Sequence, residues 1–126
     1  MFEAFFVYKK AMGVFVISKR ASDEYKFEFV SRKGKTIFTS ANFELRFECE
    51  EAIEKFKSSV EAYHFLRFKT AKGKCFFKLM DNDVLFAVSR KYSTELLMQK
   101  GINEIVKFAS VSEILDFSSG EAIFSD

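Results

Sequence analysis

Alternating apolar and polar residues predict strands over residues 14–20 and 25–30, because successive side chains of a strand point to opposite faces. The polar segment 31–35 contains Gly34, which can take a positive φ in a turn. Residues 36–41 are rich in β-branched and aromatic side chains and predict a third strand. The three strands together predict a β-meander.

An amphipathic helix is predicted after the third strand. Three glutamates lie in its early turns and two lysines lie later, which is the charge order that the helix dipole favours. Its apolar residues recur at the spacing of one helix face. These are Cys49, Ala52, Ile53, Phe56 and Val60.

The same order of elements recurs in the second half of the chain. Strands are predicted over 66–70, 75–80 and 84–89, with a turn at Gly73. A second helix stripe follows, formed by Met98, Ile102, Ile105, Val106 and Ala109. The pattern predicts an α+β fold of two layers, with two helices on one face of an antiparallel sheet of about six strands. We interpret it as a tandem β-β-β-α duplication.

Aligning the two halves pairs Ile37 with Leu85 and Ile53 with Ile102. Gly101 then matches Ala52, so each helix has a small residue before its buried isoleucine. We expect this small residue to permit close approach to the sheet or to the other helix, which would offset the cost of a helical glycine.

Length and composition predict a single globular domain. The chain has 126 residues, 48% hydrophobic and 30% charged, which excludes disorder and a disulfide-stapled miniprotein. The predicted organisation is an N-terminal extension (1–13), repeat 1 (14–63), repeat 2 (64–110) and an acidic C-terminal tail (111–126). Phenylalanine occurs 18 times and tryptophan not at all, so aromatic packing uses a side chain without polar atoms.

No secretion signal and no apolar stretch of membrane-spanning length is read from the sequence. The two cysteines have no partner at metal-ligand spacing. We therefore expect a cytoplasmic protein with free thiols, no cofactor and no membrane association.

The strand and helix residues resemble those of the YegP-like family, small uncharacterised proteins, mostly bacterial, built from units of three strands and a helix. The matching residues of the first half are Phe15, Ile17, Lys19, Tyr25, Phe27, Phe29, Gly34, Ile37, Thr39, Ser40, Phe43, Ile53 and Phe56, and those of the second half are Gly73, Phe77, Leu79, Leu85, Ser89, Tyr92, Gly101, Ile102 and Ile105. The resemblance covers about residues 15–110. It implies the fold, and it implies no known chemistry and no catalytic or ligand residues.

Residue types suited to catalysis are sparse, and we predict that the protein is not an enzyme. His64 is the single histidine and lies at the junction of the two halves without partners for acid-base chemistry. The early glutamates of the first helix are explained by the helix dipole. Ser40 and Ser89 end the third strand of each half, where hydroxyls satisfy backbone groups more often than they line a pocket.

The third strand of each half has adjacent apolar residues, which predicts that both of its faces are hydrophobic. Because helices cover only one face, we expect an apolar patch on the other. Its candidate residues are Phe38, Phe86, Val16 and Phe76. Two alternatives stay open: the patch is an interface for a protein partner or a second copy, or it is covered by Phe2, Phe5, Phe6 and Val7 of the extension.

Basic residues cluster at the predicted hairpin tips, although the formal net charge is only +2. Residues 64–110 hold nine Lys and Arg against four Asp and Glu, whereas 111–126 hold four acids and no cation. The candidate nucleic-acid contacts are Lys33, Lys35, Lys72, Lys74, Arg90 and Lys91. We predict a non-enzymatic structural or interaction module, able to self-associate; the alternative is a nucleic-acid-binding accessory domain.

Overall fold

A computed structural model describes residues 13–119, which form two helices and one mixed sheet of seven strands. The elements in chain order are β1 (Val14–Lys19), β2 (Tyr25–Val30), β3 (Thr36–Ser40), α1 (Arg46–Ser58), β4 (His64–Lys69), β5 (Cys75–Asp81), β6 (Val84–Ser89), α2 (Glu95–Phe108) and β7 (Glu113–Asp116). Short 3-10 helices at Val60–Ala62 and Ala109–Val111 follow α1 and α2. The predicted α+β class is confirmed.

The sheet is open, and its strand order is β4-β5-β6-β3-β2-β1-β7. The six predicted strands pair antiparallel, and β3 and β6 meet at the centre. The sheet is nevertheless not wholly antiparallel, because β7 pairs with β1 in parallel. This seventh strand comes from the segment that the sequence predicted as an acidic tail.

The helix starts are stabilised by hydrogen bonds near their first turns. In α2 the Thr94 hydroxyl accepts a hydrogen bond from the Leu97 N–H at 3.1 Å, the usual geometry of a helix N-cap. In α1 the Glu48 carboxylate accepts one from the Leu45 N–H at 3.0 Å, so a side chain of the first turn satisfies the backbone just before it.

Both third strands contain a β-bulge, and the bulges correct the prediction of an apolar strand face. In β3, Phe38 faces Phe29 and Thr36 faces Val30, which leaves Ile37 as an extra residue. In β6 the corresponding extra residue is Phe86. Each bulge puts two adjacent apolar side chains into the core, so the doubled apolar pattern does not mean two hydrophobic faces.

The aromatic core lies between the sheet and the helices. Phe38 is fully buried, and its ring centroid lies 6.1 Å from that of Phe56 on α1. Phe86 is 7% exposed, and its ring centroid lies 5.0 Å from those of both Phe56 and Tyr63. The prediction that Phe38 and Phe86 point away from the helices is therefore wrong.

The two halves make matching hydrogen bonds around the central strand pair. The Ser40 hydroxyl accepts from the Phe27 N–H at 2.9 Å, and the Ser89 hydroxyl accepts from the Phe77 N–H at the same distance. Each serine also donates to the carbonyl of its next residue at 2.7 Å. The predicted backbone role of both serines is confirmed.

The same symmetry corrects the alignment of the halves. The Arg90 N–H donates to the Ile37 carbonyl, and the Ala41 N–H donates to the Phe86 carbonyl. Ile37 therefore corresponds to Phe86 rather than to Leu85, and Phe38 corresponds to Ala87. The residue equivalence supports a duplicated unit, and the duplication itself stays a prediction.

The helix stripes pack as predicted except at one position. The buried residues are Cys49, Ile53 and Phe56 of α1 and Met98, Gly101, Ile102 and Ile105 of α2. Val106 is instead 57% exposed. The N-terminal cover predicted from Phe2, Phe5, Phe6 and Val7 lies outside the described residues.

Candidate functional site: a basic cleft

Two turns that contain a glycine each place a lysine at the same end of the sheet. In the β2–β3 turn Gly34 has a φ of 84°, and in the β4–β5 turn Gly73 has a φ of 85°. Glycine takes this left-handed conformation without the clash that a Cβ would cause. Each glycine is followed directly by a lysine, Lys35 or Lys74, which precedes the next strand.

The residues after β6 lie beside these two turns. Arg90 binds the backbone of Ile37 near the start of β3, with an N–H to carbonyl distance of 2.9 Å. Tyr92 exchanges two backbone hydrogen bonds with Cys75 at 2.7 and 2.8 Å. The central strand pairing therefore places Arg90 near Lys35, while the bridge to β5 places Tyr92 near Lys74.

These elements enclose a cleft of two contiguous lobes, with volumes of about 330 and 180 Å³. The lobes share Lys35, Arg90, Tyr92 and Leu97, and one carboxylate, Glu104, lies in the wall. We call this the basic cleft. Six cations of the described residues line it, namely Lys33, Lys35, Lys74, Arg90, Lys91 and Lys100.

The cations of the basic cleft form no ion pair with a carboxylate in the described part of the chain. Within residues 13–119, none of the six has a carboxylate oxygen within 4.0 Å of its charged nitrogen. All six side chains belong to exposed residues. Because these cations outnumber Glu104, the single carboxylate among the described lining residues, the cleft has a positive potential that attracts anions.

Tyr92 forms the floor between the two lobes. The Arg90 guanidinium lies 5.5 Å from its ring centroid, which is cation–π distance. Burial raises the pKa of the Tyr92 hydroxyl, Arg90 acts against this, and Glu104 adds to it. Tyr92 is therefore a neutral phenol at physiological pH, offering a ring and a hydroxyl.

Gly101 is required by the position of that ring. A Cβ built on Gly101 would lie 2.3 Å from the Tyr92 hydroxyl oxygen and 3.0 Å from Cζ. The predicted close approach at Gly101 is present, but its neighbour is a side chain rather than the sheet or α1. The glycine thus leaves room for the floor of the cleft.

The first half contains a counterpart of this cleft with different chemistry. Phe43 and Ala52 replace Tyr92 and Gly101, and the cavity of about 330 Å³ is walled by apolar side chains that include Leu85 and Phe86. Its lining lysine, Lys55, forms an ion pair with Asp81 at 2.9 Å. Among the described residues, this counterpart cavity therefore lacks the group of cations that lines the basic cleft.

Five of the six predicted nucleic-acid contacts line the basic cleft. The exception is Lys72, which is exposed in the β4–β5 turn outside the lining residues. Lys100 was not predicted, because a single lysine on an amphipathic helix is indistinguishable in sequence from a solvated surface residue. Its location one residue before Gly101 is the signal that points to the cleft.

The predicted interface residues divide between the two faces of the sheet. Val16 and Phe76 lie on the face opposite the core and are half-buried. The Phe76 ring stacks on Phe68 with centroids 5.2 Å apart. An ion pair between Lys26 and Glu28 at 3.4 Å interrupts the apolar surface beside Val16.

Comparisons with known proteins identify similar chains of unknown function. A UPF0339 protein of Photorhabdus laumondii is 23% identical over 113 residues, covering 88% of this chain and 99% of that protein. The solution structure of a UPF0339 protein from Shewanella oneidensis superposes with a TM-score of 0.76 at 23% identity, covering 85% of this chain and 92% of the other.

A second solution structure, of the E. coli protein YegP, described as a protein of unknown function, has a TM-score of 0.72 at 22% identity. It covers 85% of this chain and 94% of YegP. No protein-family model matches the chain. The predicted resemblance to the YegP-like family is confirmed.

Within that YegP-like fold, the thiols are poorly suited to nucleophilic chemistry. Cys49 and Cys75 are both free and buried. Burial, with a smaller contribution from the nearby Asp116 carboxylate, raises the pKa of the Cys49 thiol to about 11. With this raised pKa, Cys49 is almost wholly protonated near neutral pH. Because the thiolate is the reactive form, its thiol is a weak nucleophile.

Residues 13–119 contain neither a cluster of metal ligands nor a membrane-spanning helix. No group of three or more His, Cys, Asp or Glu side chains there could hold a metal ion. His64 is the exposed first residue of β4. None of the helices in this part is long and apolar enough to cross a membrane.

Proposed function

We propose that the chain is a non-enzymatic binding module whose basic cleft holds a nucleic-acid strand. The observation that carries this proposal is the gathering of six cations around the half-buried Tyr92, none of them in an ion pair within residues 13–119. Phosphodiester groups need cations along the backbone, and unpaired bases need a ring against which to stack. The basic cleft offers both at one location.

The charge distribution supports a localised contact despite the small net charge of +2. Among residues 13–119, the lining contributes six positive charges and one negative charge, from Glu104. The N-terminal end of α2 borders the cleft through Ser93 and Leu97, where the helix dipole adds positive potential. A single strand fits this proposal better than a duplex, since Tyr92 can stack only on an unstacked base.

The test is fluorescence anisotropy of a labelled single-stranded oligonucleotide titrated with the full chain at several salt concentrations. We expect saturable binding that weakens as salt rises, with a log–log slope of about −0.7 for each phosphate neutralised. For four contacts, a change from 50 to 200 mM salt would weaken binding roughly fiftyfold. RNA and DNA of the same sequence are compared side by side.

A triple variant replaces three cleft cations by glutamine, namely Lys35→Gln, Lys74→Gln and Arg90→Gln. We expect binding to weaken at least tenfold and the salt slope to fall by about 2. The matched control removes the same charge elsewhere with Lys57→Gln, Lys69→Gln and Lys107→Gln and should weaken binding less than about threefold. Equal losses in both triples, or no saturable binding by the parent chain, would overturn the proposal.

A further inference from the structure

β4 is one of the two edge strands of the sheet formed by the described residues. β4 pairs with β5 on one side, and within 13–119 no strand lies on its other side. It is six residues long, and Leu66 and Phe68 are 46% and 40% exposed. A strand edge of this length presents a row of backbone donors and acceptors that a further strand can satisfy.

The other half of the sheet shows what such an edge accepts. β1 corresponds to β4, because each is the first strand of its hairpin and pairs with the second strand in the same register. Phe15 pairs with Phe29, and Phe65 pairs with Leu79. The outer edge of β1 is occupied by β7, which runs parallel to it. The equivalent position beside β4 has no occupant among the residues that the structure describes.

The register in which β7 pairs with β1 predicts which residue types a strand bound beside β4 would have. Ile114 lies beside Phe15, Leu115 beside Val16 and Asp116 beside Ile17. Transferring this register to β4 puts the two apolar residues beside Phe65 and Leu66 and the acid beside Arg67. β4 differs from β1 in having an exposed cation at this last position.

We propose that β4 binds an extended segment of a partner protein as a parallel strand, through two consecutive apolar residues followed by an acid. The backbone ladder supplies affinity, and alternate side chains supply specificity, as in other cases of strand addition. This inference does not depend on the proposed nucleic-acid function, because β4 contributes no residue to the lining of the basic cleft.

The charges of β4 select an acidic partner over a second copy of β4. Arg67 and Lys69 are both exposed on this strand, and Lys72 and Lys74 follow in the turn. Pairing two β4 edges would bring these cations close together without counter-charges, which is unfavourable. An acidic side chain of the partner placed beside Arg67 would instead be attracted by the guanidinium charge.

The test is an NMR titration of the isotope-labelled full chain with a capped peptide of the sequence SEILDF, which is residues 112–117 of this chain. We expect saturable shifts confined to β4 and its neighbour β5. A peptide with proline in place of leucine should not bind, since proline removes a ladder donor. A peptide with lysine in place of aspartate should bind about tenfold more weakly.

Charge reversal supplies the decisive comparison. Arg67→Glu should weaken binding of SEILDF about tenfold and restore binding of the lysine peptide. Lys35→Glu, in the basic cleft, is the matched control and should leave peptide binding unchanged. Arg67→Glu should in turn leave oligonucleotide binding within about threefold of the parent, so failure of one proposal does not imply failure of the other.

Four results would overturn the proposal. The first is the absence of saturable shifts at millimolar SEILDF, and the second is equal binding of the aspartate and lysine peptides. The third is hydrogen-exchange protection of the outward β4 amides in the free chain at every concentration, which would mean that another part of the same chain covers the edge. The fourth is protection that increases with chain concentration, which would assign the edge to a second copy.

Discussion

Replacing Gly101 with alanine tests the packing that forms the floor of the basic cleft. The new Cβ would lie 2.3 Å from the Tyr92 hydroxyl oxygen, closer than real Cβ atoms come to a non-bonded neighbour, so the ring must move. Overpacking of this kind costs about 1–3 kcal/mol. Alanine in place of a helical glycine returns about 1 kcal/mol. We therefore expect Gly101→Ala to reduce the free energy of unfolding by up to about 2 kcal/mol.

The double variant Gly101→Ala, Tyr92→Phe should recover most of this loss. Removing the hydroxyl leaves Cζ as the nearest atom to the new Cβ, at 3.0 Å, which a small ring movement can accommodate. The pair becomes alanine under phenylalanine, which is the combination found at Ala52 and Phe43 in the counterpart cleft. Tyr92→Phe alone should change stability by less than about 0.5 kcal/mol.

Urea denaturation of the parent and the three variants at 25 °C gives the coupling free energy between positions 92 and 101. We expect the double variant to be at least about 1 kcal/mol more stable than the sum of the single effects predicts. The packing explanation of Gly101 would be refuted if the single effects add to within about 0.3 kcal/mol.

Two further predictions concern the core and the seventh strand. Phe38→Ala should lower the free energy of unfolding by about 3–5 kcal/mol because Phe38 is fully buried. Phe76→Ala, on the sheet face opposite the core, should lower it clearly less. Similar urea midpoints for the two variants would contradict this prediction. Asp116 is partly desolvated, but hydrogen bonds from Ser118 and the guanidinium of Arg46 hold the pKa of its carboxyl below the usual range. The ionised carboxylate therefore stabilises the folded state at neutral pH, and this stabilisation is lost as the pH falls through the lowered pKa. Unfolding measured from pH 5 to pH 2 should show a shallower loss of stability for Asp116→Asn than for the parent; identical profiles would contradict the role of the carboxylate.

The sequence by itself determined the elements of the repeated unit. Strand alternation, the glycines of the turns and the helical spacing of apolar residues are local signals, because each depends on backbone geometry within a few residues. They were sufficient for six strands, two helices and the buried faces of both helices. They also predicted five of the six cations of the basic cleft, since basic residues in turns and directly after strands lie at strand ends wherever the strands are placed.

Only the tertiary structure decided which face Phe38 and Phe86 occupy. A bulge inserts one residue into a strand and changes the alternation, and two adjacent apolar residues look the same in sequence whether they come from a bulge or from a strand with two apolar faces. The cross-strand register of β3 and β6 distinguishes the two cases.

The long-range pairings were likewise invisible in the sequence. Glu113–Asp116 is too short and too acidic to be recognised as a strand, and it forms one because the edge of β1 supplies its hydrogen-bonding partners. The cations of the basic cleft become a site because β3 and β6 pair at the centre of the sheet and Tyr92 bridges to β5. Contacts between residues far apart in the chain depend on how the elements pack, which local patterns do not encode.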